Sequence, residues 1–526
     1  MATDKQSNEF GGWFGSFINW VEVVGNKLPH PFTLFVILCV ITLFLSFLLS
    51  NAGVAVTYMK PPAEVGGDPE QVTVAVKNLL AFEPMRAFLK DFVKTFVNFA
   101  PLGLILTMML GISLLDQTGL MSAAMRKTIL GAPPALVTMV LAFVGVNSNL
   151  ASDAGSVFTA TIGGSIFAAL GRNPMVGVVA GYAAAWGGFT ANLFIAGTEA
   201  LLSGITAPVA EAMGITAPVH PLMNWYFMIV ATFVITFVTT WVTEKFIVRR
   251  LGDTSGEMMI DKGSLKEHEL TPAEERGLKG ALAGLAIFLV IMLVLCLPQG
   301  AFFRNEDGGF LPKSPLIDSI MPVIFFLFMF VGVGYGIAAG TIKSEKDIPR
   351  YMAQGIESIV GFLVVCLPAS LFINLFNSSN ITTVLAVTGA EVLQAMNLGG
   401  IPLAVMFIIL CAFINLFIVS GSAKWMILAP IFVPMFSVVS FSPALTQLAY
   451  RIGDTSTNII SPLSPYIPVI LALLTKFNPK KEEVGIGTYI SLMIPYSLAF
   501  MVVLTLQLII WMVLNLPAGP GVGLYL

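Results

Sequence analysis

Residues 149–156 read NLASDAGS and lie between two apolar stretches, PALVTMVLAFVGV at 134–146 and VFTATIGGSIFAAL at 157–170. Asn149, Ser152, Asp153 and Ser156, with Gly155 among them, thus sit where hydrocarbon would leave each polar group unsatisfied. The flanking stretches are only 13 and 14 residues long, short of the roughly 20 that a crossing helix needs. The segment 134–170 therefore reads as a re-entrant hairpin. Its polar tip is expected at mid-membrane depth, against protein or a water-filled cavity.

Composition agrees with a bilayer as solvent. Hydrophobic residues make up 56% of the chain, charged residues 11%, and there are 40 Phe; the mean hydropathy is +0.87. These values predict an all-α polytopic membrane protein. A balance of 27 basic and 30 acidic residues leaves no basic stripe for nucleic acid. Cys39, Cys296, Cys366 and Cys411 lie inside apolar runs without pairing or metal spacing, and are read as packing residues. The first apolar run begins near Pro31, after the amphipathic lead GWFGSFINWVEVVGNKLP. That is too far in for an ordinary cleaved signal, so an uncleaved first span is expected behind a cytoplasmic N-terminus over 1–30.

Lysine and arginine set the orientation. Arg126 with Lys127, Lys245 with Arg249 and Arg250, Lys343 with Lys346 and Arg350, and Lys476 with Lys480 and Lys481 mark cytoplasmic loops. The charged, Gly- and Pro-containing stretch 249–280 reads as a cytoplasmic linker between two transmembrane halves, 31–248 and 281–526.

The halves repeat. Asn149-Leu150 followed by Gly155-Ser156 recurs as Asn415-Leu416 followed by Gly421-Ser422, and Asn192 recurs as Asn458, all at one offset of 266 residues. A second hairpin over 401–439 follows from equally short arms, and charge places its open end on the opposite side. Each half then carries an interrupted helix, over 175–195 and 445–473, with polar breaks GGFTAN at 187–192 and GDTSTN at 453–458. Inverted repeats with broken helices meeting near the midplane predict a secondary transporter.

Several residues have two readings. Arg451 and Asp454 stand three apart on one helical face, either as a clamp for a substrate carboxylate or as a mutual pair that offsets desolvation. Trp425 either stacks on a substrate ring or packs. Asp153 caps the second hairpin arm or serves ion coupling. Asn149, Asn192, Asn415 and Asn458, with Thr190 and Ser456, suit a hard cation such as sodium. Glu199, Asp153 and Asp454 keep proton coupling open. Lys424 is a counter-charge or snorkels outward.

FTANLFIAGTEALLSGIT at 189–206, SGSAKWMILAPIFVPMF at 420–436 and AYRIGDTSTNIISPLSPY at 449–466 resemble the p-aminobenzoyl-glutamate transporter (AbgT) family. GNKLPHPFTLF at 25–35, FAPLG at 99–103 and the C-terminal LPAGPG extend the likeness along the chain. The resemblance implies nine spans, two re-entrant hairpins and a homodimer with an inward-facing bowl in the bacterial inner membrane. It further implies ion-gradient-driven import of p-aminobenzoyl-glutamate, or export of sulfonamide antimetabolites. The family's functional positions fall on Trp425, Pro443, Arg451 and Asp454, with Ser422 beside them and a carboxylate at Glu199. The family's expected Asp is replaced there by Glu, so Thr198-Glu199 keeps the charge and adds a methylene. An Arg fork and an indole together would suit an aromatic amide of glutamate.

No cofactor is expected beyond a coupling Na+ or H+. An ATP-driven pump would need a phosphate-binding loop, and no GxxxxGK[ST] occurs. An intramembrane hydrolase is the remote alternative, with Ser and Asp at the tips but His30, His220 and His268 distant from them.

Overall fold

The chain is helical almost throughout in a computed structural model that describes residues 29–60, 70–151, 154–252, 269–311, 314–395, 399–478 and 483–526. Helix α1 (Pro31–Asn51) starts where the apolar run starts, with Pro31 in its first turn and His30 capping the Phe32 amide. Among the described residues, a two-stranded ribbon follows it. Strands β1 (Ala55–Lys60) and β2 (Glu70–Ala75) pair antiparallel, with Val56 opposite Val74 and Thr57 opposite Thr73. Short alternating, β-branched segments suit a pleated ribbon better than a helix.

Helices α2 (Phe82–Val97), α3 (Ala100–Gln117) and α4 (Leu120–Leu130) lead to the first hairpin. Its arms are α5 (Val137–Val146), extended by a tight turn over Asn147–Ala151, and α6 (Ala154–Ala169). Then come α7 (Pro174–Gly187), a 3-10 turn over Gly188–Thr190 and α8 (Gly197–Ala212). Helix α9 (Trp225–Val242) continues through a π turn, Thr243–Ile247, into α10 (Val248–Leu251).

The second half contains α11 (Pro272–Cys296), the short α12 (Pro315–Asp318), α13 (Ile320–Ala339), α14 (Asp347–Ser378) and α15 (Ile381–Ala395). Its hairpin arms are α16 (Gly400–Asn415) and α17 (Gly421–Ser437), followed by α18 (Pro443–Asn458), α19 (Ile467–Lys476) and α20 (Ile486–Val513). Among the described residues, 8 helices are long and apolar enough to cross a membrane, or 9 with the bent pair Leu120–Leu130 and Pro134–Leu150.

Packing is reciprocal. Helices α5 and α6 lie on α7 and α16 lies on α18, while each second arm crosses to the other half, α6 to α19 and α17 to α8. Glycines allow the closest approach. A Cβ at Gly163 would overlap the Gly177 backbone, and one at Gly177 would overlap Gly163, the small-residue contact that helices use where lipid supplies no hydrophobic drive. Outside this core, α13 packs on α3 and α11, and α14 packs on α1 and α3.

Two expectations need correction. The 249–280 linker is helical at both ends, because α10 runs to Leu251 and α11 begins at Pro272. Thr271 and Glu274 form a capping box that starts α11 within the polar stretch. Residues 253–268 lie outside the described set, as does most of the 1–30 segment. The break in the second half is also displaced: GDTSTN at 453–458 is helical, and the chain leaves α18 only over residues 459–466. Ser456 and Thr457 donate to the carbonyls of Ile452 and Gly453 four residues back, which keeps them inside the helix. Pro462 and Pro465 then deny it further amide donors.

Candidate functional site

Helix α18 is polar along much of its length, yet every residue from Pro443 to Asn458 is buried. Such a helix is tolerated only when neighbours satisfy its side chains. Ser442 caps it through the Leu445 amide, and Pro443 occupies the first turn. Pro443 therefore starts the helix, two turns before Arg451.

Asp454 and Arg451 do not pair with each other; each holds a charge from another element. The Lys424 ammonium, on the first turn of α17, donates to Asp454 Oδ1 and to Asn415 Oδ1. Both charged side chains are 1% exposed, so Lys424 is a counter-charge and does not snorkel. Asn458 Nδ2 donates to Asp454 Oδ2 at 2.8 Å. Asn415 Nδ2 reaches the Asp454 carbonyl at 2.8 Å, and Thr457 Oγ1 and Asn458 Oδ1 at 2.9 Å. Asn415, Asn458, Asp454 and Lys424 thus form one closed cluster. Ser456 stands outside it, spent on Ile452 O at 2.6 Å.

Arg451 crosses to the first half. Its Nη2 donates to Glu199 Oε1 at 2.7 Å and to the Phe189 carbonyl, while its Nε has no hydrogen-bond partner. Glu199 is fixed in turn, since its Oε2 accepts the Ala196 amide at 2.6 Å where α8 begins. Thr190 completes the bridge by donating to Arg451 O at 2.9 Å.

Among the described residues, the first copy brings no charged side chain into its asparagine frame. Asn149 Nδ2 donates to Ala185 O at 3.3 Å, and Asn192 Oδ1 accepts the Phe194 amide at 3.3 Å. Asn147, which the repeat did not flag, ties the tip to the break by accepting the Leu193 amide at 3.1 Å. Gly188 is essential to this geometry: a Cβ there would overlap the Val146 carbonyl and crowd Asn149 Nδ2. Asp153 lies outside the described residues. Among the described residues, no group of three His, Cys, Asp or Glu side chains converges as a metal site.

Between the two copies lies a cavity of about 750 Å³. Asn149 and Ser156 border it from the first copy, and Ser422, Asp454 and Asn458 from the second. Trp186, Phe189 and Tyr466 give it an aromatic side, with the Trp186 and Tyr466 ring centres 5.8 Å apart. Asp116 on α3 and Gln354 on α14 line the far wall. Neither was found from sequence, although Asp116 is the only ionisable residue within α3, a signal that an intramembrane position makes informative.

Arg451, Glu199, Trp425, Pro443, Thr190, Asn192, Asn415 and Ser456 do not border the cavity; they stand behind its lining residues. Trp425 is fully buried, stacked on Tyr450 with ring centres 4.6 Å apart, and its Nε1 donates to Thr206 Oγ1 at 2.9 Å. In this arrangement it joins α17 to α8, in keeping with the packing role.

The profile of the "AbgT putative transporter family" matches residues 16–526. The p-aminobenzoyl-glutamate transport protein of Escherichia coli K12 is 38% identical over 522 residues, covering 99% of each chain. The Alcanivorax borkumensis YdaH transporter is 34% identical with a TM-score of 0.85, over 94% of this chain and 100% of its own. Neisseria gonorrhoeae MtrF, described among antimetabolite efflux pumps, is 36% identical with a TM-score of 0.89, over 96% of this chain and 100% of its own.

Proposed function

The chain belongs to the AbgT family and is a multi-span membrane transporter, and on that premise we propose that it carries p-aminobenzoyl-glutamate or a related aromatic carboxylate. The observation that carries this reading is the shared cavity. Its volume falls within the roughly 300–1,000 Å³ typical of small-molecule sites, and residues from both tips and both breaks border it. The aromatic side formed by Trp186, Phe189 and Tyr466 suits an aryl ring. Arg451 stands directly behind Phe189, its guanidinium 5.3 Å from that ring centre. A substrate carboxylate gains access to Arg451 by competing with Glu199, and the unpartnered Nε offers a further donor.

Transport is secondary and ion-driven, with a sodium ion or proton as coupling species. Both hairpins re-enter the membrane rather than cross it, so that their polar tips meet at mid-depth and open alternately to each face. The protein works as a homodimer in the bacterial inner membrane with its N-terminus in the cytoplasm, an orientation that the Lys and Arg distribution supports. Export of sulfonamide-like antimetabolites on the same site is the second reading, supported by the likeness to MtrF.

Flux into proteoliposomes tests both readings. Labelled p-aminobenzoyl-glutamate should accumulate, chemically unchanged, when a sodium or proton gradient is imposed. Movement of a sulfonamide alone would establish the second reading, and absence of flux for both would refute the proposal.

A further inference from the structure

The asparagines of the two frames correspond at the 266-residue offset, yet among the described residues only the second frame contains charge. Position 424 is Lys where the first copy has Phe158, and position 454 is Asp where it has Gly188. The first copy cannot hold a carboxylate there, because even a Cβ at Gly188 would overlap the Val146 carbonyl. Phe158, in turn, packs against the hydrophobic core. In the second copy the Lys424 ammonium lies between two oxygens of the frame, Asn415 Oδ1 and Asp454 Oδ1. Oxygen ligands around a single positive charge are also what a hard monovalent ion requires. Asp454 and Asn458 lie at the cavity wall although both are buried, so the frame abuts the cavity.

We infer that Lys424 is a tethered competitor of the cation: its ammonium and a free alkali ion are mutually exclusive occupants of the second frame. One carboxylate balances one positive charge, so the frame holds the lysine head or the ion, never both. Sodium entry must expel the ammonium toward the cavity, where it becomes available to an anionic solute. The inference deepens the ion-coupled reading above, but its test measures ion binding on the purified protein without any solute. A failed flux assay would leave it standing.

The experiment is thermal unfolding of the purified full-length protein, titrated with NaCl against choline chloride at constant ionic strength. Three variants are compared with the native chain: Lys424→Ala, Lys424→Arg, and the double variant Lys424→Met with Asp454→Asn. Removing the ammonium leaves a buried carboxylate without a counter-charge, which a free cation then relieves. In Lys424→Ala the sodium concentration giving half the stabilisation should fall at least about tenfold. A native chain insensitive to sodium should gain a response in that variant. Lys424→Arg keeps a tethered cation and should stay at or above the native value, and the double variant should lose the response of this frame. If Lys424→Ala is destabilised equally in NaCl and choline chloride, or its half-stabilising sodium concentration is unchanged or higher, sodium does not take the place of the ammonium and the inference is overturned.

Discussion

The two hairpin tips are built on the same Asn, Gly and Ser positions and are stabilised in opposite ways. The second tip is held by charge: Lys424 and Asp454 sit fully buried among Asn415, Asn458 and Thr457. Among the described residues, the first is held by neutral contacts and by steric closeness, with Asn147 and Asn149 bonded to backbone and Gly188 pressed against the Val146 carbonyl. The same asparagine positions occur twice at the 266-residue offset, and each set meets the problem of buried polar groups with different chemistry. A charged frame is costly to disturb, because loss of either Lys424 or Asp454 leaves an ion without its partner. A neutral frame yields more readily, and Asn149 stands on the cavity wall.

Substitutions that treat the copies alike should therefore give unequal results. The largest effect is expected for Asp454→Asn, which leaves the Lys424 ammonium buried beside neutral amides. Loss of one partner from a buried pair costs about 3–5 kcal/mol, so both thermal stability and transport should collapse. A variant within 1 kcal/mol of the native chain, by denaturation of purified protein, would remove the charge from the explanation.

Gly188→Ala should follow, at roughly 1–3 kcal/mol from overpacking a site with no room for a Cβ. If its melting temperature matches the native one, the first frame is not sterically closed and its lack of charge needs another cause. The smallest effect lies in the pair Asn415→Ala and Asn149→Ala. The two Nδ2 hydrogens of Asn415 are shared among three acceptors within 2.9 Å and its Oδ1 accepts from Lys424, whereas Asn149 makes one donation at 3.3 Å. With about 1 kcal/mol net per hydrogen bond and more for charged partners, Asn415→Ala should be the more destabilised by roughly 1–2 kcal/mol. Equal melting curves would erase the contrast between the tips.

Much of this organisation was legible in the residues. Short apolar arms outline both hairpins, around a polar octet in the first, and the constant offset of Asn, Gly and Ser pairs the halves. What sequence hid was the identity of the partners. Arg451 meets Glu199 across 252 residues, a separation no local pattern reports, so its nearest charged neighbour, Asp454, looked like its mate. The displaced break has a similar origin. The stretch GDTSTN reads as a polar break, but in a buried helix the hydroxyls of Ser456 and Thr457 find acceptors in the preceding turn, so the helix can continue through them. Asp116 escaped notice because it has no counterpart in a motif, only an unusual position within an apolar helix.

The decisive test concerns whether both tips share one pocket that opens to either face. Ser156→Cys and Ser422→Cys, equivalent positions on the two tips, would be placed in a chain whose Cys39, Cys296, Cys366 and Cys411 are replaced, and probed with impermeant thiol reagents from each side of sealed vesicles. Both cysteines should label from the same side in a given state and change sides together when substrate or ion gradients are imposed. Labelling of the two positions from opposite sides, unchanged by any solute or ion, would contradict a common cavity with alternating access.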